Sequence, residues 1–309
     1  MKIAILGATS QIAKDLILSF STRKDYILAL FSRDVKLLEK WISNLNLGDK
    51  CSALDYLEFS VEQKYDVIIN FVGAGDPLKI QKMGIDVFNI TSQYDNMAIQ
   101  YIKNHKKTKY IFLSSGAVYG GNYQEPINCD SVAVSNINNI NPTDYYALAK
   151  LSAEIKHRSL ADFFIVDVRV FNYFSHRQNM EAKFLITDIA RSIRNKRLFK
   201  TSALNILRDF ITPIDFYNVI KSIISCSSIN KALDCYTKSP ISKFDLLTGL
   251  ENEFELKYEF DKTASFIDAT SFKMNYYSTC KSLENMGYSP KYTSMEGVSS
   301  EIRKYLDLI

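Results

Sequence analysis

The chain has 309 residues, of which 47% are hydrophobic and 23% charged, and its formal net charge is +4. This balance predicts an ordinary globular protein with enough chain for a large core, built as one big α/β domain or as a large domain with a small companion. Basic and acidic residues are interspersed and no nucleic-acid-binding motif accompanies the lysine-rich stretches, so we expect no nucleic-acid partner.

Short apolar runs alternate with longer amphipathic stretches through the first half of the chain. Strands that are apolar throughout and separated by helices are typical of parallel sheets covered on both faces. The pattern therefore predicts an α/β fold with a doubly wound parallel sheet. The predicted strands are 3–6, 26–31, 52–54, 67–72, 110–113 and 164–170, and the predicted helices are 11–20, 35–45, 83–104 and 143–159.

The pattern loosens after residue 171. Helices are predicted over 184–197, 244–250 and 295–306, with a turn at 286–290. We interpret residues 1–170, with a return of about 203–225, as the larger domain. Residues 171–309 are predicted to form a smaller α+β domain over one end of the sheet.

Five cysteines are scattered through the chain and form neither a C-x-x-C motif nor a set with zinc spacing. We therefore expect reduced, mostly buried thiols and no metal site. The apolar run before Gly7 is too short for a signal peptide, and no apolar run reaches the about 18 residues of a membrane span. A cytoplasmic protein without a membrane partner is the prediction.

A turn of small residues, Gly7-Ala-Thr-Ser10-Gln-Ile-Ala13, joins the first predicted strand to the first helix. Its first glycine permits a tight turn, and Ser10 and Ala13 stand where a dinucleotide fingerprint usually has glycines. The helix N-terminus adds free N–H groups and a partial positive charge. A simple strand-to-helix turn is the alternative. The predicted cofactor contacts are Gly7, Thr9, Ser10, Gln11, Ile12 and, after the fourth predicted strand, Gly73.

The end of the second predicted strand indicates which dinucleotide is bound. An enzyme that prefers NAD usually places Asp or Glu there to hold the ribose 2′-hydroxyl. Here Ser32 and Arg33 follow the strand, and such a pair can bind a 2′-phosphate. The sequence therefore favours NADP(H). Asp34 keeps NAD(H) open, because a shift of one residue would place its carboxylate at the strand end.

Tyr146 and Lys150 are four positions apart, so on a helix they share one face. An ammonium beside a phenol is expected to lower the pKa of the tyrosine, which gives a proton donor and acceptor usable near neutral pH. The spacing alone is weak evidence for an active site, because it occurs by chance on many solvated helices.

Four motifs in order make the pattern specific: Ser115 after the fifth predicted strand, the Tyr146/Lys150 pair, Asn172 and Arg208. Over nearly the whole chain this order resembles the extended short-chain dehydrogenase/reductase family, in particular its nucleotide-sugar epimerases and reductases. The resemblance implies a Rossmann-type dinucleotide-binding domain over residues 1–170. It also implies a substrate-binding domain over residues 171–309.

The resemblance also implies a role for each residue. Ser115, or less favourably its neighbour Ser114, hydrogen-bonds the reacting sugar oxygen. Tyr146 is the acid/base at that oxygen, and Lys150 holds the nicotinamide ribose and lowers the pKa of Tyr146.

Asn172 and Arg208 match positions that contact the diphosphate of the substrate, a group that suits arginine. The plainer alternatives are a surface ion pair between Arg208 and Asp209 and a loop-capping role for Asn172.

Dehydratases of this family carry an Asp-Glu pair where this chain has Gly116 and Ala117, so a 4,6-dehydratase is not expected. The sequence favours an NADPH-dependent reductase of a nucleotide-linked 4-keto-deoxysugar, in a surface-polysaccharide type of pathway. A nucleotide-sugar 4-epimerase with tightly held NAD⁺ is the alternative, and a non-catalytic dinucleotide-binding protein is the second. A homodimer through the helices predicted at 83–104 and 143–159 is expected.

Overall fold

The computed structural model describes residues 1–73, 77–121, 123–261 and 273–308, and its centre is a seven-stranded parallel sheet. The strands are β1 (Lys2–Leu6), β2 (Ile27–Phe31), β3 (Cys51–Leu54), β4 (Val67–Asn70), β5 (Lys109–Ser115), β6 (Ile165–Val170), β7 (Asn172–Tyr173), β8 (Phe199–Thr201), β9 (Leu207–Arg208), β10 (Phe210–Ile211), β11 (Asn230–Asp234), β12 (Ile241–Ser242), β13 (Tyr258–Phe260) and β14 (Asn275–Tyr276). The α-helices are α1 (Gln11–Ser21), α2 (Val35–Asn44), α3 (Pro77–Met83), α4 (Asp86–Asn104), α5 (Tyr145–Arg158), α6 (Leu185–Arg194), α7 (Pro213–Ser225), α8 (Lys243–Phe254) and α9 (Ser294–Leu306).

The large sheet has the order β11-β6-β5-β4-β1-β2-β3, and each neighbouring pair is parallel. The predicted doubly wound α/β class is therefore confirmed. The six predicted strands are present with ends shifted by up to two residues. The edge strand β11 was not predicted, because its sequence Asn-Lys-Ala-Leu-Asp is too polar to form an apolar run.

Apolar side chains cover both faces of the sheet. In β1, Ile3 and Ile5 pack with α1 and α7, whereas Ala4 and Leu6 pack with α4 and α5. Successive strand residues point to opposite faces, so a strand buried on both sides must be apolar at every position. This explains the continuous runs in the first half of the sequence.

The helix predicted over 83–104 is divided in two in the structure. α3 ends at Met83 and α4 begins at Asp86, with Gly84 between them at φ +51°. A positive φ cannot continue a right-handed helix, so the glycine breaks it. Among the described helices, none is long and apolar enough to cross a bilayer.

Short strands and three helices form the rest of the chain. β9 lies between β12 and β14, β10 pairs with β7, and β13 pairs with β8. α6, α8 and α9 share a separate apolar cluster that includes Ile189, Leu247 and Ile302. The parallel pair β7–β10 brings Asn172 beside Phe210, just beyond the end of β6.

The structure corrects the expectation that the thiols are reduced and mostly buried. Cys129 and Cys280 form a disulfide with a Cα–Cα distance of 4.8 Å, although 151 positions separate them in the chain. Cys51 and Cys235 are buried free thiols and Cys226 is a half-buried one. The pairing could not be read from the sequence, because neither cysteine lies in a spacing motif. It joins the segment after β5 to the segment after β14.

We predict that thiol titration of the denatured, unreduced protein counts three of its five cysteines. Reduction before denaturation should raise the count to five. In the double variant Cys129→Ser/Cys280→Ser the count should be three with and without reductant. Five titratable thiols in the unreduced wild-type protein would show that the disulfide does not form.

Candidate active site

The glycine turn lies where the strand order of the sheet reverses, between β1 and β4. In open α/β sheets, ligands bind in the crevice at this point, outside the carboxyl ends of the strands. Gly7 has φ +75°, and a Cβ there would stand 2.9 Å from the backbone of both Phe71 and Val72. The Phe71 N–H donates to Leu6 O at 2.8 Å. The two chain segments therefore approach so closely that only glycine fits at position 7.

The start of α1 presents backbone rather than side chains to the crevice. Ser10 is the N-cap, and its Oγ accepts a backbone N–H of the first turn at 3.3 Å. The Gln11 amide instead donates to Asp15 Oδ1 at 3.1 Å, along the helix. Thr9 is exposed and Ile12 partly exposed. A helix N-terminus beside a tight glycine turn fits a pyrophosphate, so these residues can hold a dinucleotide.

Ser32, Arg33 and Asp34 follow β2 and have different surroundings. Ser32 is buried, and its Oγ accepts the N–H of Asp34 at 3.1 Å. Asp34 caps α2, because its Oδ1 accepts the N–H of Leu37 at 2.9 Å. Arg33 is exposed. The carboxylate that kept NAD(H) open is thus bonded to a helix N-terminus, and both Asp34 and Arg33 are exposed at this corner.

Tyr56 covers the glycine turn and was not predicted from the sequence. Its hydroxyl accepts the N–H of Gly7 at 2.9 Å, and its ring stacks on Phe31 with centroids 6.3 Å apart. Burial raises the pKa of Tyr56 to about 12, and the charge of Arg33 acts weakly in the opposite direction. The signal was only an aromatic residue shortly after β3, which reads as ordinary core.

Ser115 and Tyr146 meet at the carboxyl end of β5. Ser115 Oγ accepts the N–H of Ala117 at 3.2 Å, and α5 carries Tyr146 and Lys150 on the face that turns toward it. Burial raises the pKa of Tyr146, and interaction with the Ser115 hydroxyl acts against that rise. The expected net lowering of this pKa is therefore wrong. Burial dominates, and a phenol with a raised pKa keeps its proton near neutral pH.

Lys150 is buried between the ends of β4 and β5. Its Nζ donates to Leu113 O at 2.8 Å and to Val72 O at 3.4 Å, and lies 4.3 Å from the centroid of the Phe112 ring. Burial lowers the pKa of Lys150 to about 8, against the attraction of nearby carboxylates. A Cβ on Gly73 would stand 3.4 Å from this ammonium, so Lys150 lies against the predicted cofactor crevice.

Ser114, the less favoured candidate for the serine that binds the sugar oxygen, has a different hydrogen-bond partner. Its Oγ donates to Glu154 Oε1 at 2.5 Å, and both side chains are buried. Ser115 points from the opposite side of the strand toward Tyr146. The two serines therefore have different partners, and the substrate-binding role of Ser115 stays a prediction.

Tyr276 is a second phenol at the site that sequence reasoning missed. Its hydroxyl lies 3.3 Å from Ser115 Oγ, and the residue is 8% exposed. Asn172 Nδ2 donates to the carbonyls of Tyr276 at 3.2 Å and of Asp209 at 3.3 Å. The amide of Asn172 thus fixes two backbone segments.

Arg208 lies beside Tyr276 in the β9–β14 pair, with its guanidinium 5.9 Å from the ring centroid. Its Nη1 donates to the carbonyls of Leu207 at 2.8 Å and Lys273 at 2.9 Å. Asp209 is buried and accepts the N–H of Thr237 at 2.9 Å. The alternative, a surface ion pair between Arg208 and Asp209, is wrong, because the carboxylate of Asp209 is buried.

Gly116 has no room for a side chain. A Cβ there would stand 2.4 Å from the Phe171 ring. Phe171 is buried and packs against Tyr276, with ring centroids 5.2 Å apart. The position at which dehydratases of the resembling family carry an acidic residue is therefore filled by an aromatic ring.

Comparison with known proteins supports these observations. The model of the NAD dependent epimerase/dehydratase family matches residues 3–228. The UDP-glucuronic acid 4-epimerase of Bacillus cereus, in complex with UDP-glucuronic acid and NAD, is 18% identical with a TM-score of 0.77 and 100% of each chain covered. The dTDP-glucose 4,6-dehydratase of Bacillus anthracis, in complex with NAD, is 14% identical with a TM-score of 0.79, covering 99% of this chain and 97% of that one.

A third similar structure is RMD of Pseudomonas aeruginosa, complexed with NADPH. It is 17% identical with a TM-score of 0.75, covering 100% of this chain and 99% of that one. The curated proteins contain no match to this chain. At these identities the solved structures establish the shared fold.

We predict that Gly7→Ala weakens dinucleotide binding at least tenfold and lowers the free energy of unfolding by about 1–3 kcal/mol. The added Cβ meets backbone at a positive φ, so neither side can yield cheaply. Fluorescence titration with NADPH and urea unfolding measure the two effects. Gly48→Ala is the control, because nothing lies within 4 Å of its Cβ position. Equal behaviour of the two variants would contradict the steric argument.

Proposed function

The chain belongs to the NAD dependent epimerase/dehydratase family, and we propose that it is an NADPH-dependent reductase of a nucleotide-linked 4-keto-deoxysugar. We propose residues 1–170, with the return at about 203–225, as the cofactor-binding domain and residues 171–309 as the substrate-binding domain. Arg208 and Asn172, at the junction of the two, are the proposed contacts of the substrate diphosphate.

The residues after β2 are the basis for proposing NADP(H) rather than NAD(H). Arg33 and Asp34 are both exposed here, and the Asp34 carboxylate is bonded to the N-terminus of α2 at 2.9 Å. An arginine there suits the 2′-phosphate of NADP(H), whereas NAD(H) calls for a carboxylate toward the ribose. A net reduction consumes its dinucleotide, which agrees with the exchangeable NADPH that this corner favours.

The proposed chemistry is proton transfer at the sugar oxygen. When bound, the nicotinamide dinucleotide supplies the hydride that the C4 carbon receives. Tyr146 gives its proton to the oxygen as the C=O bond becomes C–OH, and the resulting phenolate is reprotonated from solvent. Ser115 hydrogen-bonds the same oxygen, and Lys150 holds the nicotinamide ribose. A phenol whose pKa burial raises enters this reaction in the protonated form that a reduction needs.

A nucleotide-sugar 4-epimerase with NAD remains the second candidate. It would use Ser115, Tyr146 and Lys150 in both directions at the same carbon. The similar Bacillus cereus structure is a 4-epimerase with NAD, and this likeness favours it. A 4,6-dehydratase is disfavoured, because Gly116 provides no carboxylate and has no space for one.

We also propose a homodimer through α4 and α5, as expected from the sequence. The two helices pack side by side, and large apolar side chains are exposed near them: Ile85, just before α4, is 62% exposed and Ile155, on α5, is 64% exposed. The proposed setting is the cytoplasm, in the synthesis of a surface polysaccharide.

We predict stoichiometric consumption of NADPH with a nucleotide-linked 4-keto-6-deoxyhexose, tested as UDP, dTDP and GDP derivatives. Tyr146→Phe should lower kcat about a hundredfold or more, because the proton donor at the sugar oxygen is lost. Tyr145→Phe is the matched control, since the ring of Tyr145 packs near Phe88 instead. Full-occupancy NAD⁺ in the purified protein, with interconversion of C4 epimers and no NADPH consumption, would establish the epimerase instead.

We predict that Arg33→Ala weakens NADPH binding about tenfold or more and leaves NADH binding within twofold. A charge-assisted bond to a phosphate contributes roughly 1.5–3 kcal/mol, and NADH lacks that phosphate. Titration with both dinucleotides measures the effect. Lys36→Ala, an exposed cation on the neighbouring helix, controls for general loss of charge. Parallel losses for NADPH and NADH would refute a 2′-phosphate contact.

A further inference from the structure

Ser115 lies between two phenols, and the proposed reaction uses only one of them. Tyr146 reaches it from α5, and Tyr276 reaches it from β14 with its hydroxyl 3.3 Å from Ser115 Oγ. Tyr276 is buried, so its hydroxyl needs a hydrogen-bond partner within the protein. The question is what the second phenol does to the serine.

Packing on several sides fixes the ring of Tyr276. Its centroid is 5.1 Å from that of Tyr123, at an interplanar angle of 87°, and 5.2 Å from that of Phe171. The Lys273 ammonium lies 4.1 Å from the ring centroid. With Asn172 holding the carbonyl of the same residue, the hydroxyl cannot move away from Ser115 without repacking the site.

Counting donors and acceptors assigns a direction to the hydrogen bonds. A serine hydroxyl has one proton and two lone pairs. The N–H of Ala117 occupies one lone pair of Ser115 at 3.2 Å, which leaves one lone pair and the proton for the two phenols. Tyr276 is buried, and the other polar neighbour of its hydroxyl is the N–H of Ala117, which is itself a donor. Among the described residues, Ser115 Oγ is therefore the acceptor for the Tyr276 proton, and Tyr276 serves as the donor. The serine proton is then directed at Tyr146.

We propose that Tyr276 is a positioning residue, which donates its hydroxyl proton to Ser115. It thereby turns the Ser115 proton toward the oxygen of Tyr146 while the sugar is absent, and toward the sugar oxygen that Tyr146 protonates once the sugar is bound. A hydroxyl that accepts a hydrogen bond becomes a better donor. The chain Tyr276 to Ser115 to Tyr146 therefore stabilises the phenolate left on Tyr146 after proton transfer. The inference rests on the proposed function only through the role of Tyr146 as the acid.

The charged and titratable groups around Tyr276 come from several elements. They are Tyr146 from α5, Arg208 from β9, Lys273 next to β14, and Tyr123 from the segment after β5. Replacing the Tyr276 hydroxyl leaves all of these in place. A change in the titration of Tyr146 can therefore be attributed to the hydrogen-bond chain.

The test measures the pKa of Tyr146 directly, without a sugar substrate. Protein labelled with ¹³C at the phenol carbon of tyrosine is titrated by NMR with NADP⁺ bound, and the Tyr146 signal is assigned by its loss in Tyr146→Phe. Loss of the donated bond destabilises the phenolate, so Tyr276→Phe should raise the pKa of Tyr146 by roughly 0.5–1 unit. Tyr277→Phe is the matched control, with the same change one residue along and no expected shift.

A second background separates positioning from a general structural effect. If Tyr276 acts through Ser115, then Tyr276→Phe should cause no further shift in a protein that already carries Ser115→Ala. No shift in Tyr276→Phe, or the same shift in both backgrounds, overturns the inference. If Tyr276→Phe fails to fold, a fluorinated, more acidic tyrosine at position 276 should lower the pKa of Tyr146, and no lowering overturns the inference.

Turnover gives a separate readout. With a keto-sugar substrate, Tyr276→Phe should lower kcat about tenfold with KM within twofold. The fall in rate at high pH should move upward, because it follows the acid form of Tyr146. A shift in the NMR pKa without any keto-sugar reduction would leave this inference standing and refute the reductase. Keto-sugar reduction together with an unshifted pKa of Tyr146 would support the reductase and overturn this inference.

Discussion

An ion pair between the buried Glu154 and the partly buried Arg169 anchors the candidate active site. Arg169 Nε donates to Glu154 Oε1 at 3.0 Å, and Ser114 Oγ donates to the same oxygen at 2.5 Å. Glu154 lies one turn after Lys150 on α5, and Arg169 lies on β6. One carboxylate therefore ties the helix that carries Tyr146 and Lys150 to strands β5 and β6. Because Glu154 is buried, removing Arg169 would leave its carboxylate without a counter-charge, which destabilises the fold.

The same network continues to the second phenol. Arg169 Nη1 donates to the Tyr119 hydroxyl at 2.7 Å, and that hydroxyl donates to Asp234 at 2.9 Å. Ser278 Oγ donates to Asp234 at 2.6 Å, two residues beyond Tyr276. A chain of hydrogen bonds thus connects the segment that carries Tyr276 to the ion pair next to Lys150. The disulfide between Cys129 and Cys280 closes the same region from the outside.

The sequence was sufficient where local chemistry decides structure. Gly7, the apolar strands and the one-turn spacing of Tyr146 and Lys150 are local patterns, and each lies where it was predicted. Tyr276 could not be found, because it reaches Ser115 across 161 positions of chain and its own neighbourhood carries no motif. The raised pKa of Tyr146 was missed for a related reason. A spacing rule gives the neighbour at i+4, but burial depends on the whole fold.

The glycine at 116 and the tyrosine at 276 are parts of one arrangement. Without a Cβ at 116, the Phe171 ring can occupy that space, and there it supports the Tyr276 ring from one side. Any side chain at 116 would have to displace Phe171 and would disturb one of the contacts that hold Tyr276. A side chain at 116 and the Phe171 ring in its present position are therefore sterically incompatible. The departure from the dehydratase pattern is then more than a missing acid, because the space at Gly116 holds the Phe171 ring against which Tyr276 packs.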